Sequence, residues 1–129
     1  MVIRMRTVKG FTLVELMVVM AIIASLLTLA LPRYFHSVDR SREAVLRQDL
    51  HIMRDAIDKY YADRGRYPQT LDELAKKRYL RRVPPDPITG SSATWVTVPP
   101  PQGEWREGVY DVRSGAPGDS LDGGAYEDW

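Results

Sequence analysis

The 129-residue sequence predicts an α+β fold: one long N-terminal helix, part membrane span and part amphipathic stem, packed against a small antiparallel β-sheet. Three observations lead to it. An apolar run from Phe11 to Leu31 passes without a linker into a segment whose apolar residues recur about every 3.6 positions, the helical period. Two short stretches near the C-terminus alternate apolar and polar residues, as half-buried strands do. Between helix and strands lies a proline-punctuated segment with room only for a short helix.

The first element is the apolar run. Its 21 residues make a helix of about 31 Å, which matches a bilayer core of about 30 Å. A secretory signal peptide is the rival, but such h-regions run only about 7–15 residues and end at a small-residue cleavage site. Thr28-Leu29-Ala30 is the nearest candidate for one. Arg4, Arg6 and Lys9 precede the span as closely as Arg33, Arg40, Arg42 and Arg47 follow it, so charge bias leaves the topology open. Inside the run stands one charge, Glu15. An acidic residue at the centre of a spanning helix costs about 2.5–3.5 kcal/mol. Near the N-terminal end the helix dipole and the interface reduce that cost, so Glu15 is either a tolerated interfacial acid or one half of an ion pair with a cationic partner.

After Pro32 the pattern becomes one-sided. Val38, Val45, Leu46, Leu50, Met53, Ile57, Tyr60 and Tyr61 form the expected apolar face, with Arg42, Glu43, Arg47, Asp55 and Lys59 at other positions. Glu43 with Arg47, and Asp55 with Lys59, stand four apart in the favourable acid-first order and are expected to pair. Pro32 lacks an amide proton and is expected to kink the helix where it leaves the membrane; Gly65 should end it. The pattern is too short for the sustained heptads of a coiled coil.

Thr70 and Glu73 make a Thr-x-x-Glu capping box, with Leu71 and Leu74 on the apolar face of the short helix that follows. Pro84, Pro85 and Pro87 exclude regular structure after it. Strands are expected at Ala93–Val98 and Val109–Val112, joined by the loop PPPQGEWREG. Trp95 and Trp105 read as core or loop anchors rather than stacking platforms, because no basic groove accompanies them.

Composition narrows the function. Without cysteine there are no disulfides, thiolate metal sites or cysteine nucleophiles. Setting aside Arg4, Arg6 and Lys9 leaves 15 basic against 17 acidic residues, no footprint for nucleic acid. No Ser-His-Asp arrangement, phosphate loop, nucleotide fingerprint or internal repeat is visible. His36 and His51 lack a ligand constellation and read as solvated. The tail SGAPGDSLDGGAYEDW sets Asp119, Asp122, Glu127 and Asp128 among glycines. Calcium takes six to eight oxygens in flexible geometry, so such a loop can bind it, although EF-hand spacing is absent.

Lys9-Gly10-Phe11-Thr12-Leu13-Val14-Glu15-Leu16, followed by an unbroken apolar segment and Pro32, resembles the prepilin signature of type IV pilins and type II secretion pseudopilins. The resemblance covers the first 32 residues tightly. It implies a type IV pilin-like fold with a leader over 1–10, a transmembrane and assembly helix over 11–31, and a periplasmic domain over 32–129 whose stem reaches to about 64. It also implies that a membrane peptidase cuts on the cytoplasmic side between Gly10 and Phe11 and methylates the new Phe11 amine. This fixes the orientation as N-terminus in the cytoplasm, with the domain across the bacterial inner membrane. Gly10 suits a cleft that receives extended backbone. The cut creates a cation within a few residues of Glu15, and the resemblance implies that Glu15 of an incoming subunit attracts that amine on its neighbour. Two charges that are each costly in a low-dielectric bundle then partly neutralise one another.

Tyr67-Pro68, Leu71, Leu74, Tyr79-Leu80, Pro84 and Asp86-Pro87 are further similar to the major pseudopilin of type II secretion. The resemblance then implies a homo-oligomeric helical filament serving protein secretion. Its partners are the prepilin peptidase, minor pseudopilins and an inner-membrane assembly platform. A calcium site is implied in the C-terminal loop, at Asp119, Asp122 and Asp128, although Pro117 falls where the family often has an acid and the tail ends in Trp129. Two other readings stay open: a type IV pilin or minor pilin in an adhesion, motility or contact filament, and a membrane-anchored or exported periplasmic ligand-binding module.

Overall fold

The computed structural model describes residues 2–4, 7–101 and 107–129. Element order is α1 (Leu13–Arg64), α2 (Leu71–Lys76), β1 (Val96–Val98), β2 (Asp111–Arg113) and a closing 3-10 turn, Tyr126–Asp128. The chain divides into two units, Met1–Ser37 and Val38–Trp129.

In the first unit, α1 is started by Thr12, whose Oγ1 accepts from Glu15 N at 3.1 Å while its carbonyl accepts from Leu16 N at 3.1 Å. Thr12 is thus an N-cap and Glu15 the third residue inside the helix, where a carboxylate complements the exposed N–H groups. From Leu13 to Leu31 every side chain is exposed. The two hydroxyls in the run fold back on their own helix: Ser25 donates to the Ala21 carbonyl and Thr28 to the Ala24 carbonyl, each at 2.8 Å. That satisfies them without water, as an apolar surrounding demands. Pro32 stands inside α1, which is assigned unbroken from Leu13 to Arg64.

The second unit is built on one stripe of the same helix. Leu46, Leu50, Met53, Ile57 and Tyr60 recur at alternating steps of four and three and are buried. They pack with Leu74 of α2, Trp95, Val112 of β2 and Tyr126 of the tail in a single core. Each such side chain contributes about 1.5–3 kcal/mol by leaving water. The stripe faces the chain's own C-terminal half. Val45 and Tyr61, expected on it, are exposed instead. Asp55 and Lys59 pair at 2.8 Å as expected. The Glu43–Arg47 pair does not form among the described residues: Glu43 is buried and accepts from the tail, while Arg47 turns to Asp122. The reason is register, since stepping back three from Leu46 places position 43, not 45, on the buried stripe. Gly65, at φ +68°, ends α1 where expected, its N–H reaching the Tyr61 carbonyl at 2.8 Å.

Thr70 caps α2 as expected, while the Glu73 carboxylate reaches back one residue past it. Thr70 Oγ1 accepts from Glu73 N at 3.2 Å, and Glu73 reaches back to Gln69 N at 2.7 Å. Glu73 also accepts from Tyr60 Oη and from Arg66, which ties α2 to the top of the stem.

The sheet is antiparallel, pairing Val96 with Arg113, Thr97 with Val112 and Val98 with Asp111. Both strands are shorter than expected. Thr94 is held in the preceding turn, its hydroxyl donating to the Ser91 carbonyl and sharing a hydrogen bond with the Thr89 hydroxyl, and Val109 N donates to the Pro68 carbonyl instead of a strand. Trp95 is a core anchor, its indole N–H bonded to the Pro84 carbonyl at 2.7 Å. Trp105 lies outside the described residues.

Candidate processing and assembly site

The Gly10–Phe11 bond lies in irregular, exposed chain two residues ahead of α1. A Cβ built on Gly10 meets nothing within 4 Å, so neither packing nor backbone conformation within this chain requires glycine there. Phe11 is 85% exposed. Glu15 follows in the first turn of α1, also exposed, in a helix segment long and apolar enough to cross a membrane. The arrangement offers an accessible peptide bond, a large apolar residue that becomes the new terminus, and a carboxylate one helical turn beyond it.

The other nominated residues are in the tail, and they are not brought together. Among the described residues no three His, Asp, Glu or Cys side chains are grouped so as to hold a metal ion. Asp122 faces Arg47 at 3.4 Å instead. The carbonyls of Gly118, Ser120 and Gly124 accept hydrogen bonds within the tail's own turn, from Tyr126 N, Gly123 N and Ser120 N. The nominated carboxylates Asp119, Asp122 and Asp128 are all exposed. His36 and His51 are exposed on α1.

Three residues that carry the structure were missed or misassigned from sequence. Thr12 was legible, since Thr12-x-x-Glu15 is a capping box opening an apolar run. Glu43 was legible only by tracing the buried stripe backwards from Leu46. Asp86 had no periodic signal; it is fully buried and accepts from Ile88 N at 2.8 Å and from Ser114 Oγ at 2.7 Å, tying the proline loop to the end of β2.

Comparison with known proteins bears on the whole chain. The model of the prokaryotic N-terminal methylation motif matches residues 5–31, the segment that holds Gly10, Phe11 and Glu15. The type II secretion system core protein G of Escherichia coli K12 is 32% identical over 125 residues, 84% of this chain and 81% of the relative. That of Klebsiella michiganensis is 32% identical over 103 residues, 67% of this chain and 72% of the relative. The chain belongs to the type II secretion core protein G family. It has the type IV pilin-like α+β fold, a long N-terminal helix with a two-stranded antiparallel sheet. The match to core protein G extends far beyond the methylation motif. A shorter match is to the fimbrial protein EcpC of Eikenella corrodens, 43% identical over 60 residues, 46% of this chain and 39% of that one. No solved structure matches the chain significantly.

Proposed function

We propose that this chain is a structural subunit of a periplasmic pseudopilus that polymerises from the inner membrane and drives type II protein secretion. The observation that carries the reading is Glu15: the one charge in an otherwise apolar, fully exposed helix segment, one turn after the Gly10–Phe11 bond. Cutting that bond leaves an ammonium on Phe11, which methylation keeps cationic. An exposed apolar helix is stable in lipid or among copies of itself, and in both places Glu15 needs a cation. The Phe11 amine of a neighbouring subunit supplies one, and the pair sets register more than it adds stability, because desolvation offsets much of the attraction.

In this reading the prepilin peptidase acts from the cytoplasmic side, the second unit lies in the periplasm, and minor pseudopilins and an inner-membrane platform complete the assembly. ATP hydrolysis belongs to a partner. The naming of the core protein G relatives supports secretion over adhesion. The fimbrial relative keeps a type IV pilin role as the second reading.

Intact mass and N-terminal sequencing of protein from its native cell test the processing step. A methylated Phe11 terminus is expected; a start beyond Ala30 overturns the reading. Glu15→Ala tests assembly, with loss of filaments by electron microscopy and cross-linking as the expected result and normal filaments as the refutation.

A further inference from the structure

The C-terminal loop has to be held to the stem by something, and the structure shows what holds it. Leu121 N donates to Glu43 Oε1 at 2.7 Å, and Tyr126 Oη donates to the same oxygen at 2.8 Å. Glu43 comes from α1 and is only 5% exposed; its two donors come from opposite sides of the tail's turn, 78 and 83 residues away in sequence. Above it Arg47 straddles the loop, its guanidinium 3.4 Å from Asp122 and 4.5 Å from the centre of the Trp129 ring. Arg40, Glu43, Arg47, Leu121 and Asp122 line one cleft, so the carboxylate and both arginines sit where stem and loop meet. The turn is closed on itself by Ser120 N to the Gly124 carbonyl at 2.7 Å and by pairing of Asp119 with Ala125.

A metal ion in such a loop would gather oxygens from the loop and neutralise them. Here the loop presents donors to a buried acceptor instead. The polarity of the contact is the reverse of a cation site: an N–H and an O–H point inward, and the oxygen belongs to the stem. We propose that Glu43 is the anchor of the C-terminal loop and that its fixation in this chain is independent of calcium. Arg47 acts as an outer strap, replaceable because its ion pair with Asp122 is exposed on both sides. The phenol of Tyr126, pushed up to about 12 by burial and by the bond to Glu43, stays a donor at all physiological pH. The proposal stands apart from filament assembly, since Glu43 and the tail both lie within the unit Val38–Trp129.

Hydrogen exchange by mass spectrometry on the full-length protein in detergent tests it, reading the peptide that contains Leu121 and Tyr126. Wild-type protection is expected to be the same in calcium chloride and in EGTA. Glu43→Ala should speed exchange of that peptide by about tenfold or more, the loss of two hydrogen bonds to one buried oxygen. Glu43→Gln, whose amide oxygen can accept both bonds, should keep most of the protection. If Glu43→Ala also deprotects α2, the chain has loosened globally, and Tyr126→Phe, which removes one bond and little volume, then decides. Protection lost in EGTA and restored by calcium overturns the proposal, as does a tail equally protected in wild type, Glu43→Ala and Tyr126→Phe.

Discussion

Glu73 accepts from three separate groups, the Tyr60 hydroxyl, the Arg66 guanidinium and the Gln69 amide. The Tyr60 hydroxyl first, then the Gln69 amide and Arg66, hold its carboxyl down from 4.5 to about 2. A folded-state value below the unfolded one stabilises the native chain at pH above about 4.5, and that contribution disappears as pH falls from there through about 2. Urea melts between pH 5 and 2 should therefore show stability falling in wild type, with a shallower fall in Glu73→Gln. Asp86 is the second such residue. Asp86→Ala leaves Ser114 Oγ and the Ile88 amide without their acceptor inside the core and is expected to cost about 1–3 kcal/mol, measured by denaturant midpoint. The capping role of Glu73 was legible as a spacing, because a cap is a local contact. Its bond to Tyr60, thirteen residues earlier, and the burial of Asp86 were not, because both depend on which loop lands against the stem.

Helix α1 was legible almost to the residue, its apolar run, stripe and terminal Gly65 all being properties of neighbours on one chain. What the spacing misjudged was the rotational position of the stripe at its two ends, where Val45 and Tyr61 are exposed and Glu43 is buried. Two substitutions read that rotation directly. Ile57→Ala, fully buried, should cost about 2–5 kcal/mol, whereas Val45→Ala should stay within about 0.5 kcal/mol. The strands were legible as alternation but not as lengths. At their open end Gly115 approaches so closely that a Cβ there would collide with the Thr94 carbonyl. Gly115→Ala must push the two segments apart, with a lowered melting temperature and loss of protection in β1 and β2 as the expected readings.

The two units of the molecule obey different solvents. Residues 13–31 expose their apolar side chains throughout, while the second unit closes a core of its own. A fragment beginning at Val38 is accordingly expected to stay monomeric in detergent-free buffer with a cooperative melt, and the full chain to require detergent or lipid; gel filtration of both checks this. The membrane-length run, the glycine before Phe11, the acid at position 15 and the family they mark could all be read along the chain, because each is a matter of composition and short spacing. The burial of Glu43, the partner of Arg47 and the scattering of the tail carboxylates could not. Those follow from where residues 116–129 come to rest on the stem, a contact between positions some 80 apart that no local periodicity encodes. Folding thus turned an acid expected to face solvent into a buried acceptor.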